Sequence, residues 1–160
     1  MALGTFIAGA YTSTWNAVAV GLTKEGYRLR FQFAKRLIDK SDAYGDTILD
    51  AVYRGVNVNL TLQAIEYAAK TTGPAFPYAA LGVLGVIGRL DSAIAKPMVL
   101  TSTAGTPAAA APATWTGSKC ILGENNNVEW VYDSSNREVP IGLRVYPYDN
   151  TGTTTFWIET

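Results

Sequence analysis

The sequence has no histidine and a single cysteine, Cys120, and these absences exclude most enzyme chemistry. Ser-His-Asp and Cys-His arrangements, histidine general bases and histidine-ligated zinc all require an imidazole. Zinc sites built from cysteine alone need more thiols than the chain has. Cys120 stands between Lys119 and Ile121 in a strand-like run, which predicts a packed thiol rather than a nucleophile. We therefore expect a protein that is not an enzyme.

Motifs that hold phosphates or metal ions are missing as well. The glycines of residues 82–88 recur at every third position, and this spacing fits neither the dinucleotide-binding fingerprint nor a P-loop. A calcium-loop frame that begins at Asp39 places Ala43 at a ligand position and Tyr44 where glycine is required. The sequence therefore predicts neither a cofactor nor a bound metal ion.

Charged residues are scarce and balanced. They make up 16% of the chain, against about 25% in an ordinary soluble domain. Charged side chains keep protein surfaces and sheet edges apart, so their scarcity favours a chain that covers much of its surface with partners. The formal net charge is zero, which predicts no strong nucleic-acid binding and no attraction to anionic membranes.

The longest apolar stretch, residues 75–88, is too short and too rich in glycine to cross a membrane as a helix. It predicts a buried or interface segment, and we expect no membrane contact.

Two strands are indicated near the start of the chain, over residues 10–21 and 27–33. A turn that ends at Gly26 separates them, so we expect them to form a hairpin. The second strand alternates apolar residues with Arg28, Arg30 and Gln32, which is typical of a half-buried strand.

A third strand is indicated after Gly55, where four aliphatic residues alternate with an uncharged polar stripe made of Asn57, Asn59, Thr61 and Gln63. Such a stripe favours a wet interface or a face against neighbouring chains. Residues 62–70 then switch to helix formers, and Gly73 and Pro74 are expected to end that helix.

The C-terminal part of the chain is rich in strand signals. Residues 97–103 read as a strand, and residues 104–114 as a flexible Ala/Pro-rich loop. Further strands are indicated at regular spacing and are separated by turn clusters, over residues 115–122, 128–133, 137–149 and 153–160. We therefore predict one domain over residues 1–160, a mainly antiparallel β-sandwich or barrel with one short flanking helix.

The order of these pieces resembles the tail tube (major tail) proteins of tailed bacteriophages. The resemblance rests on the strand-turn-strand AVAVGLTKEGYRLRFQF, the loop DAYGDTILDAVYRG, the strand VNVNLTLQAIE and the late strands from GRLDSAIAKPMVLTST to EWVYDSSNREVPIGLRVYPYD.

The resemblance implies a structural virion protein. Subunits of that family close into hexameric rings that stack as a tube, and the genome passes through the lumen without specific binding. It also implies other tail proteins as partners, assembly in the host cytoplasm and a place in the virion. The Asp/Gly-rich loop over residues 39–55 would be a contact between subunits or rings, with candidate residues Asp42, Tyr44, Gly45, Asp46, Asp50 and Gly55. The polar stripe would face the lumen or a neighbouring subunit.

Two other classes of protein fit the same sequence. One is another virion component, such as a neck, terminator or capsid-decoration protein. The other is a monomeric β-sandwich that binds ligands through exposed aromatic residues, the candidates being Trp115, Trp130, Tyr132, Tyr146, Tyr148 and Trp157.

Overall fold

The computed structural model describes residues 11–38, 47–66, 73–103, 114–124, 126–129 and 138–160. In these residues the chain is mainly antiparallel β, which confirms the predicted fold class. The strands are β1 (Tyr11–Trp15), β2 (Val18–Ala19), β3 (Thr23–Ile38), β4 (Asp50–Ala64), β5 (Lys96–Ser102), β6 (Thr114–Leu122), β7 (Val139–Val145), β8 (Tyr148–Asn150), β9 (Thr153–Thr155) and β10 (Ile158–Glu159). A short helix, α1 (Asp91–Ile94), precedes β5.

One large sheet has the strand order β2-β1-β5-β6-β7-β4-β3, and β8 and β9 form a separate hairpin. Strand β6 joins the two halves of the large sheet. Its beginning pairs with β5 and with β10 at Trp115 and Thr116, and its end pairs with β7 from Cys120 to Leu122. All these pairs are antiparallel, and the pairs β1–β5, β4–β7 and β6–β10 join strands that are not consecutive in the chain.

The core lies on one face of this sheet. Alternate residues of β4, namely Val58, Leu60 and Leu62, are at most 3% exposed, and the same holds for the inward residues of β7 opposite them. The period of two in the sequence therefore identifies the buried face correctly. Each such side chain contributes roughly 1.5–3 kcal/mol by leaving water. Met98, Leu100 and Trp115 extend the core across β5 and β6, and Trp15 extends it onto β1.

The predicted hairpin between residues 10–21 and 27–33 is wrong. The chain turns back already at Asn16 and Ala17, whose φ angles of 51° and 62° suit a two-residue hairpin turn, and β1 pairs with β2 and β5. Strand β3 pairs with β4 instead. Gly26 does not end a turn, because it lies within β3 at a register shift and has a φ of 71°.

The predicted helix over residues 62–70 is wrong in its first part. Leu62, Gln63 and Ala64 continue β4, because Leu62 and Ala64 belong to the buried face and burial outweighs intrinsic helix propensity. Residues 67–72 lie outside the described residues. Gly73 and Pro74 are themselves helical, and proline tolerates this because its fixed φ is compatible with a helix.

The predicted loop over residues 39–55 is shorter than expected, because residues 50–55 belong to β4. Residues 39–46 lie outside the described residues. The predicted flexible loop over residues 104–114 ends earlier, because Thr114 is the first residue of β6, and residues 104–113 also lie outside. Val128 and Glu129 are not in a strand, contrary to the prediction for residues 128–133, of which the rest is not described.

Candidate functional site

Strands β3 and β4 extend beyond the rest of the sheet as a two-stranded ribbon. Strand β4 pairs with β7 only from Val58 to Ala64, whereas its pairing with β3 continues to Asp50. We call residues 32–38 and 50–57 the ribbon. At about 3.3 Å per residue it is roughly 20 Å long.

One face of the ribbon is mostly apolar and exposed, and it includes the charged residue Lys35, which pairs with Tyr53. Phe33 pairs with Val56, and Phe33 and Tyr53 place their ring centroids 6.5 Å apart. Phe33 is 60% exposed, Tyr53 58% and Leu37 49%. Alternate residues share a face, and the bulge at Arg54 and Gly55 brings Tyr53 onto the face of Val56, so this surface continues the core face of β3 and β4.

Trp157 packs against this face of the sheet at Phe31. Its ring lies 5.5 Å from that of Phe31 and 6.4 Å from that of the buried Trp115, centroid to centroid. Its indole Nε1 donates a hydrogen bond of 3.0 Å to the Glu159 carboxylate, which fixes the ring. Beside Trp157, Phe31 is still 45% exposed, and Phe33 beyond it is 60% exposed.

A bulge lies within the ribbon at Arg54 and Gly55, where the register shifts between Ala34 and Lys35. Gly55 has a φ of 140°, a region that favours glycine, and a Cβ there would meet no atom within 4 Å. The glycine is therefore required by the backbone conformation and not by crowding.

The predicted assembly residues fall partly on this ribbon. Asp50 is the first residue of β4, and its side-chain Oδ1 accepts a hydrogen bond of 2.7 Å from the Ala51 N–H. Gly55 is the bulge glycine. Asp42, Tyr44, Gly45 and Asp46 lie outside the described residues. Sequence reasoning missed Phe33, Leu37 and Tyr53, although the alternation of YRLRFQF running into the loop was a signal that the strand continues.

The predicted polar stripe lies on the face opposite the core. Asn57, Asn59, Thr61 and Gln63 follow one another along β4. The Asn57 Oδ1 accepts a hydrogen bond of 3.0 Å from Arg144 on β7, and the Thr61 hydroxyl donates one of 3.4 Å to the Arg28 carbonyl. The structure thus brings all four residues onto a single surface.

Cations from both neighbouring strands flank this stripe. Asn59 pairs with Arg30 on one side and Arg144 on the other, Thr61 pairs with Arg28, and Gln63 pairs with Lys24. Residues directly opposite in a sheet share a face. The stripe is uncharged, but the surface to which it belongs carries four positive side chains, an arrangement that the neutral net charge conceals.

A second exposed apolar segment lies in residues 81–90. Of the predicted buried or interface segment, residues 75–88, Ala75 is buried, whereas Leu84 is 80% exposed and Ile87 82%. At the end of the segment Asp91 accepts a hydrogen bond of 3.4 Å from the Tyr146 hydroxyl. Burial, and secondly the Asp91 carboxylate, raise the pKa of Tyr146, as they do for Tyr78.

The single thiol is a core group. Cys120 is fully buried, as predicted, and its Sγ donates a weak hydrogen bond of 3.4 Å to the Gly117 carbonyl. Burial raises the pKa of Cys120 to about 12, so the thiolate nucleophile does not form near neutral pH.

Among the described residues, no group of His, Cys, Asp and Glu is placed to hold a metal ion. None of the helices described is long and apolar enough to cross a membrane.

The arrangement defines a mainly antiparallel β protein with a protruding ribbon. Its structure is similar to the cryo-EM structure of the anti-feeding prophage cap, the AFP tube terminating cap, with a TM-score of 0.50. The two chains are 13% identical, and the match covers 90% of this chain and 87% of that one. A likeness at this identity shows a shared fold. No protein family and no characterised protein matches the sequence.

Proposed function

We propose that this protein is a structural, non-catalytic subunit of a phage tail or tail-like tube and that it assembles with copies of itself into a ring. The observation that carries the proposal is the ribbon, whose apolar face continues the core face of the sheet into solvent. The shared fold with a tube terminating cap and the low content of charged residues support it.

The exposed apolar face of the ribbon is expected to be buried by a partner. Phe33, Leu37 and Tyr53 are each about half exposed or more, and burial of apolar surface stabilises by about 25 cal/mol per Å². Contiguous apolar patches on soluble proteins mark interaction sites. When the ribbon of one copy binds a different surface of a second copy, the contact is head-to-tail. Repetition of a head-to-tail contact closes a ring if the rotation between copies allows it.

The unpaired edge of the large sheet also supports assembly with copies of the chain. Strand β3 is the last strand of the large sheet, so one side of its backbone has no strand partner among the described residues. A long open edge is a template for another strand. Joining the edges of neighbouring subunits would produce a continuous barrel around a lumen and would leave no edge free.

Two forms of this function are distinguished by stacking. The sequence resemblance favours a tube subunit whose hexameric rings stack into the conduit for genome ejection. The likeness to a cap favours a second candidate, a ring that closes the end of a tube and does not stack on itself. In both forms the partners are other tail proteins, and the protein belongs to the assembled particle.

Electron microscopy and mass photometry of the purified protein over a range of concentrations test the proposal. Stacked rings or tubes of uniform diameter indicate a tube subunit, and single rings at every concentration indicate a cap. Phe33→Glu places a charge on the apolar part of the ribbon face, opposite Val56, and should abolish the rings. Thr154→Glu adds the same charge on the exposed β9 strand and should not. A protein that stays monomeric at the highest concentration would refute the proposal.

A further inference from the structure

We propose that the apolar segment of residues 81–90 is the surface that receives the ribbon of a second copy of this chain. The proposal rests on the proposed function, which needs a surface opposite the ribbon in the head-to-tail contact. The observation that carries it is that one chain presents two separate apolar surfaces of similar size, both of them exposed.

Turns at three glycines hold the aliphatic side chains of the segment on the outside. Gly82, Gly85 and Gly88 have φ angles of 78°, 70° and 85°, in the left-handed region that favours glycine. A Cβ at Gly85 would lie 3.0 Å from the Tyr78 carbonyl oxygen, so the chain folds back against Tyr78 there. The aliphatic residues between and beside these glycines are 49–82% exposed, namely Leu81, Val83, Leu84, Val86, Ile87 and Leu90. Local turns therefore shape a surface whose apolar side chains stay in solvent.

The segment and the ribbon lie at two different places on the large sheet. One cross-strand row runs across β4, β7, β6 and β5 and consists of Val58, Val145, Cys120 and Lys96. The ribbon leaves this row at its Val58 end, and the segment leads through α1 into its Lys96 end. Three strand spacings, roughly 14 Å, separate the two ends. Because the two surfaces are different parts of one chain, their contact between copies is head-to-tail.

The two surfaces also match in size. An aliphatic side chain has roughly 60–120 Å² of apolar surface to bury, so the six of the segment offer roughly 350 Å² at their exposures. Phe33, Leu37 and Tyr53 of the ribbon offer roughly 300 Å². Together they supply about 650 Å², a large part of the roughly 900 Å² of apolar area in an interface of standard size.

Charge favours this contact over a contact between two ribbons. The ribbon has three cations and one carboxylate, namely Lys35, Arg36, Arg54 and Asp50. Two ribbons face to face would therefore repel each other. Residues 81–91 are neutral, because Arg89 and Asp91 are their only charged residues. Lys35 lies on the apolar face of the ribbon opposite Tyr53, and Asp91 at the end of the segment offers it a carboxylate.

A mixing experiment with two variants, followed by mass photometry, tests the proposal. Phe33→Glu disables the ribbon, and Ile87→Glu places the same charge in the segment at a side chain that is 82% exposed. Each variant alone should stay monomeric, with the dissociation constant of the contact raised on the order of 100-fold. An equimolar mixture should form a dimer and nothing larger, because one intact ribbon and one intact segment remain.

Two further variants control the experiment. Leu84→Glu changes a second exposed residue of the segment and should behave as Ile87→Glu does. Thr154→Glu adds the same charge on β9 and should assemble as the parent does. Circular dichroism should show that all four variants are folded, since every replaced side chain is exposed.

The outcomes separate this proposal from the proposed function. Rings formed by both Ile87→Glu and Leu84→Glu refute the segment as the receiving surface and leave the ring intact. A mixture that stays monomeric although the parent forms rings also refutes the proposal, because the contact would then join like surfaces. A parent that forms open filaments, with a dimer in the mixture, supports the proposal and refutes the ring. A parent that stays monomeric refutes both.

Discussion

Phe33→Ala should weaken assembly strongly while leaving the isolated subunit almost as stable as the parent. Phe33 stands on the apolar face of the ribbon and is 60% exposed in the single chain. Its removal therefore costs the folded subunit little, about 0.5 kcal/mol, as expected for a surface substitution. Leu60→Ala is the matched comparison, since Leu60 of β4 lies on the same face of the sheet as Phe33 of β3 but is 1% exposed.

The size of the assembly effect follows from the exposed area. An aromatic side chain offers about 150–250 Å² for burial, so the exposed part of Phe33 corresponds to roughly 120 Å². At about 25 cal/mol per Å² a partner that covers it gains about 3 kcal/mol, of which alanine retains a part. A loss of about 2 kcal/mol at each contact raises the dissociation constant of that contact roughly 30-fold.

Analytical ultracentrifugation and thermal unfolding measure the two effects separately. Phe33→Ala should shift the association midpoint to higher concentration with little change in the Tm of the dissociated subunit. Leu60→Ala leaves a cavity that costs about 2–5 kcal/mol and should lower that Tm by roughly 5–15 °C. If Phe33→Ala lowers the Tm as much as Leu60→Ala, or if it assembles like the parent, the ribbon face is not the contact.

Three further variants test the interior and the bulge. Gly55→Ala forces a side chain into a φ of 140° at a strain of about 1–3 kcal/mol, and amide hydrogen exchange should show faster opening of the ribbon with the core unchanged. Gly117→Ala would place a Cβ 2.7 Å from the Trp115 ring and 2.8 Å from the Cys120 sulfur, and should cost about 1–3 kcal/mol in urea unfolding. Burial raises the pKa of Cys120 from 9.0 to about 12, so the unfolded chain loses this proton first and the free energy of unfolding should fall above about pH 9, by up to about 1.4 kcal/mol per pH unit. Cys120→Val should remove that part of the pH dependence, and an identical alkaline slope in the variant would contradict the assignment.

Much of the local structure was predictable from side-chain alternation. The strands at residues 97–103 and 115–122 and the buried face of β4 lie where the pattern places them. Errors occurred where local preference competed with burial. Residues 62–64 have helix-forming neighbours, yet they extend β4 because Leu62 and Ala64 fill the core. Residues 50–55 of the predicted loop over residues 39–55 belong to β4, because the pairing with β3 continues across a bulge.

The candidate site was harder to predict because it depends on contacts between distant residues. The missing histidine, the lone cysteine and the polar stripe of β4 are visible in the sequence, since they are properties of composition and period. The pairing of Asn59 with Arg30 and Arg144 joins residues from separate parts of the chain, and no local pattern specifies it. The exposure of Phe33 likewise depends on a residue distant in sequence, since Trp157 packs against Phe31 and Phe33 lies beyond that contact. Alternation therefore determined which side chains share a face within an unbroken strand. Only the tertiary structure decided where a bulge interrupts the alternation and which strands lie beside one another, because strand pairing is selected by the long-range burial and hydrogen bonding of the whole sheet.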